Sequence, residues 1–108
     1  MDYATYQGIR TQEGCLVTVD GQALPLRLDL ASHSPTGFEW GYRGSGPAQL
    51  ALAILAHHCG HDERRALDHY QRFKEEAIAP LCVDRWTISG ELVEMYLEKL
   101  EAEAALED

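Results

Sequence analysis

The sequence lacks the features that mark secreted, membrane and disulfide-rich proteins. Its three cysteines, Cys15, Cys59 and Cys82, are an odd and sparse set that predicts no disulfide framework. No secretory signal pattern is visible, and the longest uncharged run, residues 44–61, is too polar at its ends to span a bilayer. We therefore expect a cytoplasmic protein that does not bind membranes.

Positive charge is also scarce. Nine Lys and Arg residues stand against 18 Asp and Glu residues, which gives a formal net charge of −9. An acidic chain repels phosphate backbones and anionic lipid surfaces, so direct binding to nucleic acid is disfavoured. The same acidity suits a protein partner with a basic surface, although it serves plain solubility equally well.

Length and composition are ordinary for one globular domain, with 108 residues of which 45% are hydrophobic and 25% charged. We predict a single α+β domain over residues 1–108. It should consist of a small antiparallel sheet, made of an N-terminal hairpin and short strands, packed against about three helices. We expect residues 102–108 at the C-terminal end to fray.

Strand patterns fill the first half of the chain. β-Branched residues favour a strand over 15–19, and an earlier strand around 3–9 should pair with it through a turn at 11–14. Leucines at every second position predict a half-buried strand over 24–30, which Pro25 places at a sheet edge or near its own start. Aromatic residues at 38, 40 and 42 alternate in the same way and predict a short strand.

Helical spacing fills the second half. A first helix is predicted over residues 48–59, ending at Gly60, and it is apolar all round, so it should lie at the centre of the domain. A second helix should begin after Asp62, a good N-cap residue, and stop near residue 79 because Pro80 follows.

A third helix is predicted after Ser89. Its apolar stripe consists of Leu92, Val93, Tyr96, Leu97 and Leu100. Four acidic residues, spaced three, four and three apart, share another face: Glu91, Glu94, Glu98 and Glu101. Such a row can dock on a basic groove, so we predict it as the partner-binding surface, together with Trp40 and Tyr42. A solvated helix face has the same pattern.

A glycine-rich segment, residues 41–47, precedes the first helix. Backbone amides at a helix N-terminus attract anions, so a small-ligand or anion site is an alternative function. Its residues would be Arg43, Gly44, Ser45 and Gly46. The spacing is neither that of a P-loop nor a dinucleotide fingerprint, and Pro47 lacks an amide. A tight turn that needs glycines, with Ser45 as helix cap, explains the segment as well.

The other polar cluster consists of His57, His58, Cys59 and His61. Histidine and cysteine are natural zinc ligands, but no paired C-x-x-C and no Glu between paired histidines completes a metal pattern. Histidines also suit the negative end of a helix without any ligand. We predict neither a metal nor a cofactor, and keep a metalloprotein or enzyme built on residues 57–61 as a second alternative.

Glu39 is the carboxylate whose sequence neighbours are most apolar, since it lies between two aromatic residues. If its side chain is buried, we expect Arg43 as its partner. A buried ion pair of this kind is more often structural than catalytic.

The stretch from Ser34 to Ala53, SPTGFEWGYRGSGPAQLALA, resembles a family of small bacterial, archaeal and phage proteins catalogued only as a domain of unknown function. The resemblance extends from about Tyr6 to Trp86. It implies a short cytoplasmic protein, often encoded by phages or other mobile elements. It implies no activity, so no functional residue is carried over from it.

These observations favour a non-enzymatic, acidic protein-binding module. In its sharper form, this hypothesis describes a protein of phage or mobile-element origin that inhibits a nucleic-acid-binding host or defence protein by occupying its basic surface.

Overall fold

The computed structural model describes residues 3–107 and confirms the predicted α+β fold. Four strands form one antiparallel sheet in the order β3-β2-β1-β4. They are β1 (Thr5–Thr11), β2 (Gly14–Val19), β3 (Gln22–Ala23) and β4 (Arg85–Ser89). The helices are α1 (Ser45–Cys59), α2 (Glu63–Phe73) and α3 (Gly90–Leu106), and a π-helical segment, Lys74–Ile78, continues α2.

Strands β1 and β2 form the predicted hairpin. Residues 12–13 make its turn, and the register places Tyr6 opposite Val19 and Ile9 opposite Leu16. Because side chains alternate between the two faces of a strand, Tyr6, Val17 and Val19 are buried against the helices, whereas Leu16 lies on the outer face. The helices therefore cover one face of the sheet.

The prediction of a strand over residues 24–30 is wrong. Gln22 and Ala23 pair with β2, and residues 24–30 form no strand. The chain after β3 instead forms a loop around the buried side chain of Gln49 in α1, and Arg27 in this loop has a left-handed φ of 57°. The side-chain amide of Gln49 donates to the carbonyls of Leu26 (2.6 Å) and Ala31 (3.0 Å), and its oxygen accepts from the backbone amides of His33 (2.7 Å) and Ser34 (3.1 Å). These four bonds hold the loop against α1.

The prediction of a short strand over residues 38–42 is also wrong. The segment is irregular, and Gly41 has a left-handed φ of 88° while its amide donates to the carbonyl of Ile78 at 3.2 Å. Trp40 is buried, and its indole Nε1 donates to the carbonyl of Val83 at 2.7 Å. The fourth strand of the sheet is β4, which the sequence analysis did not predict and which buries Trp86 and Ile88.

Glu39 pairs with Arg10 of β1, and with 41% of its side chain exposed it does not meet the burial condition under which Arg43 was the expected partner. Arg10 Nη2 lies 2.8 Å from Glu39 Oε1, and Arg10 Nη1 lies 3.0 Å from Asp84 Oδ1. The guanidinium also stacks over the ring of Trp40, 4.7 Å from its centroid. The hydrogen bond from Arg10 lowers the pKa of Glu39, so this carboxylate stays ionised and ties the irregular segment to the sheet.

Helix α1 is the centre of the domain, as its composition predicts, and every residue from 46 to 56 is buried. It ends at Cys59, and Gly60 at the C-cap position has a left-handed φ of 60°. The interpretation of Ser45 as its cap is wrong, because Gly44 occupies the N-cap position and no side chain caps the helix. The predicted N-cap of α2 is confirmed, since Asp62 Oδ1 accepts from the amide of Arg65 at 3.1 Å.

Helix α3 follows β4 directly, and the hydroxyl of Ser89 caps it by accepting from the amide of Leu92 at 3.1 Å. Val93, Leu97 and Leu100 are buried, whereas Leu92 of the predicted stripe is exposed. The helix continues to Leu106, and Asp108 lies outside the described residues. The fraying of residues 102–108 and the single-domain assignment stay predictions.

Candidate functional site

A concave pocket of about 500 Å³ lies between the start of β1, the end of α1 and the first half of α3. The side chains that matter for its chemistry are Tyr3, Tyr6, His57, His58, Glu94 and Glu98. The pocket brings together two groups that are far apart in the sequence, the histidine cluster and the acidic row. We take it as the candidate site because it combines concave shape with several polar side chains.

Arg65 of α2 connects the pocket to both neighbouring helices. Its guanidinium binds Glu94 through Nη2–Oε2 at 2.8 Å and Nη1–Oε1 at 3.2 Å. It also binds Glu101 through Nε–Oε2 at 3.0 Å and Nη2–Oε1 at 2.9 Å. His58 Nε2 lies 2.7 Å from Glu94 Oε1, so the network reaches α1. The hydrogen bonds from Arg65, supported by His58, lower the pKa of Glu94 to about 2.

Tyr6 and His57 form a second polar contact in the pocket. The Tyr6 hydroxyl lies 2.8 Å from His57 Nδ1, and the two rings meet edge to face. Burial raises the pKa of Tyr6 well above its ordinary value, and burial likewise raises the pKa of the Cys59 thiol. Both groups therefore stay protonated at neutral pH, which leaves neither of them activated as a nucleophile or base.

Residues 3–107 contain no group of three or more His, Cys, Asp or Glu side chains placed to hold a metal ion. Within the predicted cluster, His57 contacts Tyr6 and His58 contacts Glu94. His61 is exposed beyond the end of α1. The metalloprotein alternative therefore has no assembled ligand set in the part of the chain that the structure describes.

The acidic row of α3 divides into two pairs. Glu94 and Glu101 are bound to Arg65, whereas Glu91 and Glu98 are exposed and make no ion pair with any residue in the range 3–107. Glu98 lines the pocket together with Tyr3, which is 45% exposed and stacks on His58 at a centroid distance of 6.3 Å. The free negative charge at the pocket thus belongs to Glu98.

The two aromatic residues predicted to contact a partner differ in accessibility. Trp40 is only 1% exposed and packs edge to face against Trp86, so it contributes to the core in this structure. Tyr42 is 50% exposed, and its ring covers Gly44, where a Cβ would lie 2.5 Å from Tyr42 Cε2. Of the two, only Tyr42 offers a surface to a partner.

Close packing explains the glycines of the predicted anion segment. Gly44 has an extended φ of −171°, which any residue can adopt, so its backbone conformation does not require glycine. Glycine is required there because a side chain would collide with the ring of Tyr42. A Cβ on Gly46 would lie 2.6 Å from the Cβ of Glu39. Arg43 and Ser45 are exposed. Within the described residues, Arg43 makes no ion pair. Anion binding at residues 43–46 stays a prediction.

Sequence comparison places residues 6–99 in a family of unknown function, DUF6166. Comparisons with curated proteins and with solved structures found no match to the chain. Within the described residues, every helix is too short or too polar to cross a membrane.

Proposed function

The chain belongs to DUF6166, a family of unknown function, and we propose that it is a non-enzymatic protein-binding module that receives a basic side chain of a protein partner. The observation that carries this proposal is that exposed Glu98 and half-exposed Tyr3 both line the pocket. An unpaired carboxylate attracts an ammonium or guanidinium group, and the face of a tyrosine ring does so as well.

The charged side chains at the pocket also favour a cationic ligand. Arg65 carries one positive charge, and the two carboxylates that bind it carry two negative charges. These three side chains together carry one net negative charge, and Glu98 at the same pocket adds another. The net charge of −9 on the whole chain would steer a basic partner toward it and raise the association rate.

The rigidity of the site also supports binding. Arg65 and His58 link α1, α2 and α3 through Glu94 and Glu101, and Tyr3 stacks on His58 at an interplanar angle of 9°. A pocket that is ordered before the partner arrives loses less conformational entropy on binding. The pKa directions of Tyr6, Cys59 and Glu94 all move these groups away from titration near neutral pH, which favours recognition over acid–base catalysis.

In the sharper form of the proposal, the partner is a nucleic-acid-binding host or defence protein. The chain, encoded by a phage or mobile element, would occupy the basic groove of this partner in the cytoplasm and compete with nucleic acid. The acidity of the chain supports this form, because a groove that binds phosphates also attracts carboxylates.

The test compares three forms of the protein as bait in affinity capture from lysate, followed by binding measurements with each captured protein. Glu98→Lys reverses the charge at the pocket, and Glu13→Lys makes the same charge change in the exposed β1–β2 turn. We expect Glu98→Lys to lose a basic partner that wild type and Glu13→Lys retain, and binding should weaken as salt rises.

Tyr3→Ala should weaken the same interaction without changing the net charge. If both lysine variants bind the partner equally, general acidity and not the pocket explains the capture. If Glu98→Lys binds as tightly as wild type, the pocket is not the binding site.

A further inference from the structure

The two edges of the sheet differ in their ability to accept another strand. At one edge, β3 has only two residues, and Pro25, which follows shortly after, has no amide hydrogen. At the other edge, β4 has five residues and no proline. An edge strand with free backbone groups is a template for further pairing, so β4 is the edge to consider.

The hydrogen bonds to β1 show which backbone groups of β4 are free. The amide of Arg10 donates to the carbonyl of Asp84 at 2.8 Å, and the amide of Gly90 donates to the carbonyl of Ala4 at 2.7 Å. Bonded pairs alternate along an antiparallel ladder, so Trp86 and Ile88 point their backbone groups toward β1.

The intervening residues of β4 therefore direct their backbone groups away from the sheet. Within residues 3–107, the amides and carbonyls of Arg85 and Thr87 have no hydrogen-bond partner, and both residues are exposed. Their side chains lie on the outer face of the sheet, beside a shallow concavity of about 410 Å³ that Ile9 and Leu16 also line. Nothing in the described chain covers this stretch of edge.

The charges around β4 are complementary to those of a second copy of the same strand. Arg85, at its first residue, makes no ion pair within the described chain, and neither does Glu91, which lies two residues past the end of the strand in the first turn of α3. Antiparallel pairing about a two-fold axis at Thr87 sets Arg85 opposite Ser89 of the second copy. The first turn of the second copy's α3, which carries Glu91, begins directly after the residue that lies opposite Arg85.

We propose that the chain forms a symmetric dimer through antiparallel pairing of β4 with β4 of a second copy, which joins the two four-stranded sheets into one. The two Thr87 side chains face each other across the axis, and threonine pairs are favourable across antiparallel strands. Because β3 and Pro25 block the opposite edge, assembly stops at two copies and does not continue into a fibre. The inference is independent of the pocket at Tyr3 and Glu98.

The test measures molecular mass by sedimentation velocity across a concentration series at about 0.15 M salt, where the Debye length of about 8 Å screens the repulsion between two acidic chains. Wild type should approach twice the 12.1 kDa of one chain as its concentration rises. Thr87→Pro removes an amide that the monomer leaves free, so it should preserve the fold, as checked by circular dichroism. It should raise the dissociation constant at least about tenfold, because two symmetry-related donors are lost.

Thr87→Ala is the matched control, since it keeps the amide and should dimerise nearly as well as wild type. Arg85→Glu should weaken the dimer, and the double variant Arg85→Glu with Glu91→Arg should restore it by exchanging the two charges. A wild type that stays monomeric at its highest soluble concentration overturns the proposal. So does a dimer that Thr87→Pro and Arg85→Glu leave unchanged.

Discussion

Replacing Arg65 by methionine should destabilise the fold and change its response to acid. Methionine keeps much of the length of the arginine side chain but removes the guanidinium that binds Glu94 and Glu101. Among the described residues, Glu94 would retain His58 alone as a partner, and 23% of its side chain is exposed. Removing one member of a buried ion pair is costly because the other charge is left uncompensated.

The pKa of Glu94 gives the magnitude. A decrease from 4.5 to about 2 corresponds to about 3 kcal/mol of stabilisation of the ionised form. His58 supplies part of this, and water reaches part of the carboxylate, so we expect Arg65→Met to cost about 2 kcal/mol at neutral pH. Urea unfolding at about pH 7, followed by tryptophan fluorescence, would measure this loss as a lower transition midpoint.

The pH dependence provides a second measurement of the same interaction. Glu94 has a lowered pKa in the folded state, so its contribution is present above the unfolded pKa of 4.5 and is lost as the pH falls toward about 2. More than half of it should be gone at about pH 3. Wild type should therefore lose more stability than Arg65→Met between about pH 7 and about pH 3, and the two should converge in acid.

Arg64→Met is the control, because Arg64 neighbours Arg65 in α2 but its side chain is 85% exposed and binds Asp68 one turn away. Such a pair contributes about 0.3–0.5 kcal/mol, so this variant should unfold close to wild type. The reasoning is refuted if the two variants are equally stable at neutral pH, or if Arg65→Met keeps its full deficit in acid.

Three further predictions concern the core and the histidine cluster. Leu52→Ala should lower the free energy of unfolding by roughly 2–5 kcal/mol, because Leu52 is fully buried in α1, and a loss below about 0.5 kcal/mol in denaturant would contradict its central position. Gln49→Leu should cost about 1–3 kcal/mol, since the loop carbonyls and amides that Gln49 satisfies lose their partners, and hydrogen exchange should rise at residues 26–34 more than in the sheet. Elemental analysis of untagged protein should find no stoichiometric zinc, because His57 and His58 are directed to Tyr6 and Glu94. One zinc per chain, lost on chelation together with stability, would contradict this.

Elements with local signals in the sequence were predicted well. β-Branched residues and a turn defined the β1–β2 hairpin, an uninterrupted apolar run defined α1, and Asp62 defined the start of α2. The loop after β3 was mistaken for a strand because its leucines alternate, whereas its conformation depends on a glutamine 23 residues beyond Leu26. A pattern of alternating leucines contains no information about a hydrogen bond to a side chain this far away in the sequence.

The candidate site was predicted in pieces. Residue types indicated the histidine cluster, and spacing indicated the acidic row, but no local pattern joined them. Arg65 supports the acidic row at the pocket, and it lies 29 residues before Glu94 and 36 before Glu101. Tyr3, just before β1, and Tyr6, within β1, were also missed, because neither tyrosine has a distinguishing neighbour in sequence. Only the packing of β1 against the end of α1 brings them to the pocket.

The most distinctive stretch of the sequence, residues 34–53, serves the fold more directly than it serves any exposed site. Trp40 anchors it to Val83, Glu39 anchors it to Arg10, and Gln49 orders the loop before it. Gly46 allows the backbone of residue 39 to approach α1. A substitution at any of these positions should therefore reduce partner binding and dimerisation together, by lowering the folded population. Loss of binding by such a variant would not place the partner on this stretch unless the folded population, measured under the same conditions, stayed unchanged.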